Sequence, residues 1–148
     1  MGIQNFNCAI LADRSAEASE GIRGLLESEF ESVYLVANPQ SLKQGVARLN
    51  PQVVVVDQFV EREAIPELLE TIHALVPDSK VIVLANHAHA LVAEAMLAAG
   101  ADAVVLKRSA GSDLFEALAA MENGKRYVSP AFSGFAQEPA GAVGVQSS

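Results

Sequence analysis

Three side chains in this sequence have the types and the placement to do chemistry together. Asp13 follows the apolar run Cys8 to Ala12, Asp57 follows Val53 to Val56, and Lys107 follows Ala103 to Leu106. If the runs are parallel strands, all three meet at the carboxyl ends of one sheet, where the sites of open α/β sheets lie. Two carboxylates and an ammonium suit work on a phosphoryl group. Asp57 would be the carboxylate nucleophile, Asp13 a ligand for Mg²⁺, and Lys107 the partner of a phosphoryl oxygen. The plainer reading is a strand-end charge cluster, in which each aspartate alone is a helix N-cap or a loop charge.

The elements that must position these residues are legible in the apolar pattern. Cys8 to Ala12, Val33 to Val36, Val53 to Val56, Val81 to Ala85 and Ala103 to Leu106 predict five strands. The four consecutive valines do not alternate with polar residues, so their strand should be covered on both faces, as in a parallel sheet between helices. Helical period fills the gaps. Ala18, Ile22, Leu25, Leu26 and Phe30 make one apolar face; Ser41 and Gln44 have capping-box spacing ahead of Val46 and Leu49, and Asn50-Pro51 stops that helix. Ile65, Leu68, Leu69, Ile72 and Leu75 form the third face, and an alanine-rich segment from about His89 to Ala99 ends at Gly100, a residue suited to a left-handed cap. Leu114, Leu118 and Met121 form the fifth. The alternation is (βα)5, and right-handed crossovers make it an α/β fold with a doubly wound, five-stranded parallel sheet. The strand-end rule then selects Asp13, Arg14, Asp57, Gln58, Ala85, Asn86 and Lys107 as the residues to inspect. Residues 1–128 read as one domain and 129–148, rich in Pro, Gly, Ala and Ser with Glu138 as the single charge, as a flexible linker or tail.

Composition bounds the function classes. The 148 residues are 51% hydrophobic and 19% charged, enough for one packed core and too apolar for intrinsic disorder. Acidic residues outnumber basic ones 18 to 10, and the net charge of -8 argues against direct nucleic-acid binding by this segment. Lys107-Arg108 and Lys125-Arg126 are the only adjacent basic pairs and form no stripe. Cys8 has no partner for a disulfide, which fits a cytoplasmic location, and it reads as a small core hydrophobe. No apolar run approaches the ~18 residues of a membrane span, so no membrane contact is expected. His87 and His89 lack the further ligands a metal site needs and read as a solvated loop, while His73 reads as a helix-surface or boundary residue. Gly21 and Gly24 lie inside helical pattern, not between strand and helix, so they make no phosphate loop.

From Asn7 to about Ser129 the sequence resembles a response-regulator receiver domain of the CheY-like fold. The resemblance rests on Ala9-Ile10-Leu11-Ala12-Asp13, on Asn50-Pro51-Gln52 with the four valines and Asp57, on Ala98-Ala99-Gly100-Ala101-Asp102, and on Val105-Leu106-Lys107. Asp113-Leu114-Phe115-Glu116-Ala117-Leu118, followed by Gly124-Lys125-Arg126-Tyr127-Val128-Ser129-Pro130, is similar to the end of receivers in the NarL/FixJ class, which usually continue into a LuxR-type helix-turn-helix. The resemblance implies that Asp57 is the phosphoacceptor, Lys107 the phosphoryl contact, and Asp13 one of the acids that organise Mg²⁺. It implies a signalling module and not an enzyme, with a sensor histidine kinase as partner, self-association as a homodimer, and transcriptional output through a domain outside these residues.

Several positions depart from the family pattern. Arg14 stands where a second acidic residue is usual, and a guanidinium cannot ligate a cation. Ala85 replaces the Ser or Thr whose hydroxyl bonds the phosphoryl oxygen, Val104 stands where an aromatic switch residue is common, and Gln58-Phe59-Val60-Glu61-Arg62 replaces the usual Met-Pro loop. These departures imply either an atypical receiver with impaired phosphorylation or a phosphate-independent pseudo-receiver in which Arg14 pairs with Asp57 or Asp13. A small flavodoxin-like enzyme is the rival from another class; it lacks a Gly-rich phosphate loop ahead of a helix.

Overall fold

The apolar runs become neighbouring strands of one sheet in a computed structural model, which describes residues 6–13, 20–57 and 65–132. In chain order the elements are β1 (Phe6–Ala12), α1 (Glu20–Glu27), β2 (Phe30–Val36), α2 (Pro39–Leu49), β3 (Val53–Asp57), α3 (Ile65–Leu75), β4 (Lys80–Ala85), α4 (Ala90–Ala98), β5 (Ala103–Leu106), α5 (Ala110–Glu122) and β6 (Tyr127–Val128). The strand order is β2-β1-β3-β4-β5-β6, with every pairing parallel. This is the doubly wound parallel sheet the alternation predicts, widened at one edge by the two-residue β6.

The sheet has a core on each face because its central strands carry unbroken apolar runs. Ile10, Val54, Val56, Val81, Val83, Val104 and Leu106 pack with residues of α2, α3 and α4. Their sequence neighbours Ala9, Leu11, Val53, Val55, Ile82, Leu84 and Val105 pack with α1 and α5. The period of two in a strand divides one unbroken apolar run between two cores.

Three local outcomes differ from the sequence reading, each for a physical reason. Phe30 opens β2 and does not belong to α1. The amides of Ser28 and Glu29 bond the carbonyls of Leu25 and Leu26 and close the helix first, yet Phe30 still joins Ile22 and Leu26 in the same core. Apolar period reported its burial correctly and its element wrongly. The cap of α2 is Asn38, three residues before Ser41: its side chain accepts from the Ser41 amide at 2.8 Å, and Pro39 follows in the first turn. The packed chain also runs past Val128, where the composition changes. Ser129 and Phe132 are buried, residues 130–132 are helical, and the Phe132 amide bonds the Ser129 carbonyl at 3.0 Å. The remainder of the linker reading, from position 133 onward, lies outside the described residues. Gly100 does end α4 as expected, with φ at +116°. No helix among the described residues is long and apolar enough to cross a membrane.

Candidate functional site

Register brings the two aspartates together. Ala12 pairs with Val56 across β1 and β3, so the next residue on each strand is an aspartate. The Asp13 amide bonds the Val36 carbonyl at 3.0 Å, which carries the strand geometry of β1 one residue past its end. Asp57 continues the stripe of Val53 and Val55, and Asp13 that of Ala9 and Leu11, so both stand on the side of the sheet covered by α1 and α5. Asp57 is fully buried and Asp13 nearly so.

Lys107 comes from further away. It begins a 3₁₀ turn, Lys107–Ser109, that carries the chain from β5 into α5. From β5 it must reach past β4, two strand spacings or about 10 Å, to meet β3, a gap that the extended lysine and the Asp57 side chain close together. Its ammonium donates to Asp57 and lies 3.5 Å from the Asp13 carboxylate. Burial alone would lower the Lys107 value, but the hydrogen bond and charge of Asp57, then those of Asp13, outweigh it and hold the group above the ordinary lysine range. The three residues singled out by type and spacing therefore form one ion triad.

The other sequence candidates fall in two groups. Ala85, at the end of β4, and Val104, within β5, are fully buried in the core beneath α2, α3 and α4. Neither carries a polar atom on its side chain. Arg14 and the segment Gln58-Phe59-Val60-Glu61-Arg62 lie outside the described residues. His87 and His89 are exposed, with ring centroids 5.9 Å apart. Cys8 is partly buried, which pushes its thiol up and makes it a poor nucleophile.

Asp13 and Asp57 are the carboxylates that would hold Mg²⁺. Mg²⁺ asks for oxygen ligands in near-octahedral array, whereas here one ammonium engages both carboxylates. Among the described residues no group of three or more His, Cys, Asp or Glu is placed to hold a metal.

Sequence reasoning passed over one buried polar group beside the triad. Ser129, assigned to the tail, accepts from the Leu106 amide at 2.9 Å and donates to Asp113 of α5 at 2.7 Å. A signal was present in the helical period: Asp113, Ala117 and Met121 are spaced by four, so the aspartate lies on the buried stripe of α5. A carboxylate on such a stripe needs an interior partner.

Comparison with known proteins agrees with this geometry. The model of the response regulator receiver domain matches residues 9–119. The RcsB response regulator of Salmonella typhimurium is similar at 25% identity and a TM-score of 0.80, over 93% of this chain and 70% of that one. The isolated REC domain of RcsB from Salmonella enterica serovar Typhimurium in the apo form matches at 26% identity and 0.78, over 90% of this chain and 100% of that one. The non-phosphorylated receiver domain of RcsB from Escherichia coli matches at 26% identity and 0.74, over 84% and 98%. No match is found among curated protein sequences. A parallel sheet in the order 2-1-3-4-5 with a short sixth strand, an acidic pair and a lysine at its carboxyl ends, and a family match across most of its length establish that this chain belongs to the response regulator receiver domain family.

Proposed function

We propose that this receiver domain is the signal-input unit of a two-component transcription regulator, with Asp57 as the phosphoacceptor of a site where phosphorylation is impaired. The observation that carries the reading is the Lys107 ammonium held by both Asp57 and Asp13. In the transfer, an Asp57 carboxylate oxygen forms the new bond to phosphorus as the bond from phosphorus to the donor breaks, and the donor leaves with that electron pair. Lys107 neutralises the charge that gathers on the phosphoryl oxygens. At rest the same ammonium occupies the nucleophile. Ala85 supplies no hydroxyl to the phosphoryl group, and Arg14 puts a cation in sequence where the family has a second acid. Loss of one positioned donor costs on the order of 10²-fold in rate, so transfer to Asp57 is slow. The phosphodonor is a sensor histidine kinase, the cellular setting is the cytoplasm, and output passes through homodimerisation to a helix-turn-helix domain. RcsB, of which this chain covers 67% at 26% identity, has been solved bound to DNA, which supports output of that kind.

The second reading is a phosphate-independent pseudo-receiver acting as a protein-interaction module. The ion triad favours it too, because Lys107 already supplies the positive partner that a phosphoryl group would otherwise recruit. A ¹⁵N HSQC titration with Mg²⁺ and then beryllofluoride separates the two. Weak, saturable shifts around Asp13, Asp57 and Lys107 that vanish in Asp57→Asn and strengthen in Arg14→Asp support the impaired receiver. A silent native protein whose response is recovered in Arg14→Asp supports the pseudo-receiver. Tight binding and a stable aspartyl phosphate at ordinary receiver rates would contradict both.

A further inference from the structure

We propose that Ser129 and Asp113 form a buried relay that positions Lys107 and couples the state of Asp57 to residues 129–132, where the chain runs on from the sheet. The coupling rests on the reading of Asp57 as the signalling residue; the relay itself rests on geometry. β6 pairs with β5 only as far as Val104 with Val128. The ladder then continues for one bond, from the Ser129 amide to the Val104 carbonyl at 3.0 Å. Pro130 follows, and the chain turns away. A third strand residue opposite Leu106 is therefore missing, and the Leu106 amide would be buried without a partner. The Ser129 hydroxyl takes that place, accepting from the Leu106 amide at 2.9 Å.

The hydroxyl proton is then directed to Asp113 Oδ2 at 2.7 Å. Ser129 is fully buried and Asp113 8% exposed, so the chain from amide to hydroxyl to carboxylate is charge-assisted and shielded from water. It ties together the last residue of β5, the first turn of α5, and the segment after β6. Lys107 is the next residue along the chain from Leu106. Its backbone leaves the strand at that point, with Leu106 anchored on one side and Asp113 on the other. Ser129 and Asp113 are thus positioning residues, acting through the peptide that bears Lys107. When Asp57 loses its charge or gains a ligand, the ammonium must find a new position. The displacement is passed to Leu106, to Ser129 and to helical residues 130–132. Coupling of this kind is reciprocal.

The test uses the full 148-residue chain, ¹⁵N-labelled, with Ser129→Ala, Ser129→Thr and Asp57→Asn singly and combined. Ser129→Ala is expected to raise the exchange rate of the Leu106 amide about tenfold, the factor for one lost hydrogen bond, and Ser129→Thr to restore it. Asp57→Asn is expected to shift the Leu106, Ser129 and Phe132 amides in the native background. The Phe132 shift should disappear with Ser129→Ala and return with Ser129→Thr. A Phe132 response that survives Ser129→Ala undiminished would overturn the relay, as would perturbations that stop at Lys107. Asp113→Asn, which keeps size and an acceptor oxygen, gives a second reading of the same coupling should Ser129→Ala unfold. Beryllofluoride distinguishes the two levels. If it binds nowhere while Asp57→Asn still reaches Phe132 through Ser129, the phosphoryl reading fails and the relay stands. If it binds at Asp57 and Phe132 does not respond, the relay fails and the phosphoryl reading stands.

Discussion

Lys107 answers an electrostatic problem that the strand register creates. Asp13 and Asp57 are adjacent, sequestered and alike in charge, and burying such a pair without a counterion is costly. One ammonium, with its side chain 21% exposed, serves both. Lys107→Met keeps much of the length and removes the charge; it is expected to lower stability by about 3 kcal/mol at neutral pH, the scale of a broken buried pair. The pH dependence has a definite sign. Because the folded protein holds Lys107 above its ordinary value, the stabilisation is complete below the ordinary lysine value near ~10.4 and is lost as pH rises through the folded one. Tyr127, raised first by burial and then by Asp113 and Glu116, loses stability in the same alkaline direction. Urea midpoints measured at neutral and strongly alkaline pH should therefore fall further in the native protein than in Lys107→Met. Equal alkaline losses in the two proteins would show that the triad contributes nothing to the profile.

At the scale of elements, the ends of helices carry more specific information than their middles. The two caps on the face of α2, α3 and α4 work by different physics. Asn38 satisfies one amide at the start of α2, so Asn38→Ala should cost about 1 kcal/mol. Gly100 ends α4 at φ +116°, and a Cβ placed there would lie 2.9 Å from the His73 ring. That ring sits 4.0 Å from Asp102, whose carboxylate accepts from the Val81 amide at 2.9 Å. Gly100→Ala therefore combines backbone strain with a clash and should cost about 2 to 3 kcal/mol. In a His73→Ala background the clash is gone and the strain remains. Denaturation of the native protein, the three single variants and the Gly100→Ala/His73→Ala double variant should show Gly100→Ala more costly than Asn38→Ala, and partly relieved by His73→Ala; no relief would confine the effect to the backbone.

For the whole molecule the decisive feature is that packing carries on past Val128. A composition boundary at Val128 and packing that includes Ser129 and Phe132 make different predictions. Phe132 is among the large side chains fully buried in the core beneath α2, α3 and α4, and Ser129 closes the edge of the sheet. A chain ending at Val128 loses both and should be less stable by more than ~3 kcal/mol, as should Phe132→Ala. A chain ending at Phe132 keeps both contacts and should be the more stable of the two by urea midpoint. Identical midpoints for the two truncations would return the boundary to Val128.

The sequence by itself determined the fold and the members of the candidate triad. Unalternating runs such as Val53 to Val56 are stable only when covered on both faces, and that requirement implies parallel strands, crossover helices and a site at the strand ends, where Asp13, Asp57 and Lys107 stand. Tertiary structure alone decided three things. Phe30 is core in either reading, and only the competition between helix closure and strand pairing assigns it to β2. Which carboxylates Lys107 holds depends on register and on the reach across β4. The partnership of Ser129 with Leu106 and Asp113 depends on β6 ending one residue too soon for the ladder. Local pattern reports which residues must leave water. The partners they find there are chosen by contacts between segments distant in sequence, which no local period encodes.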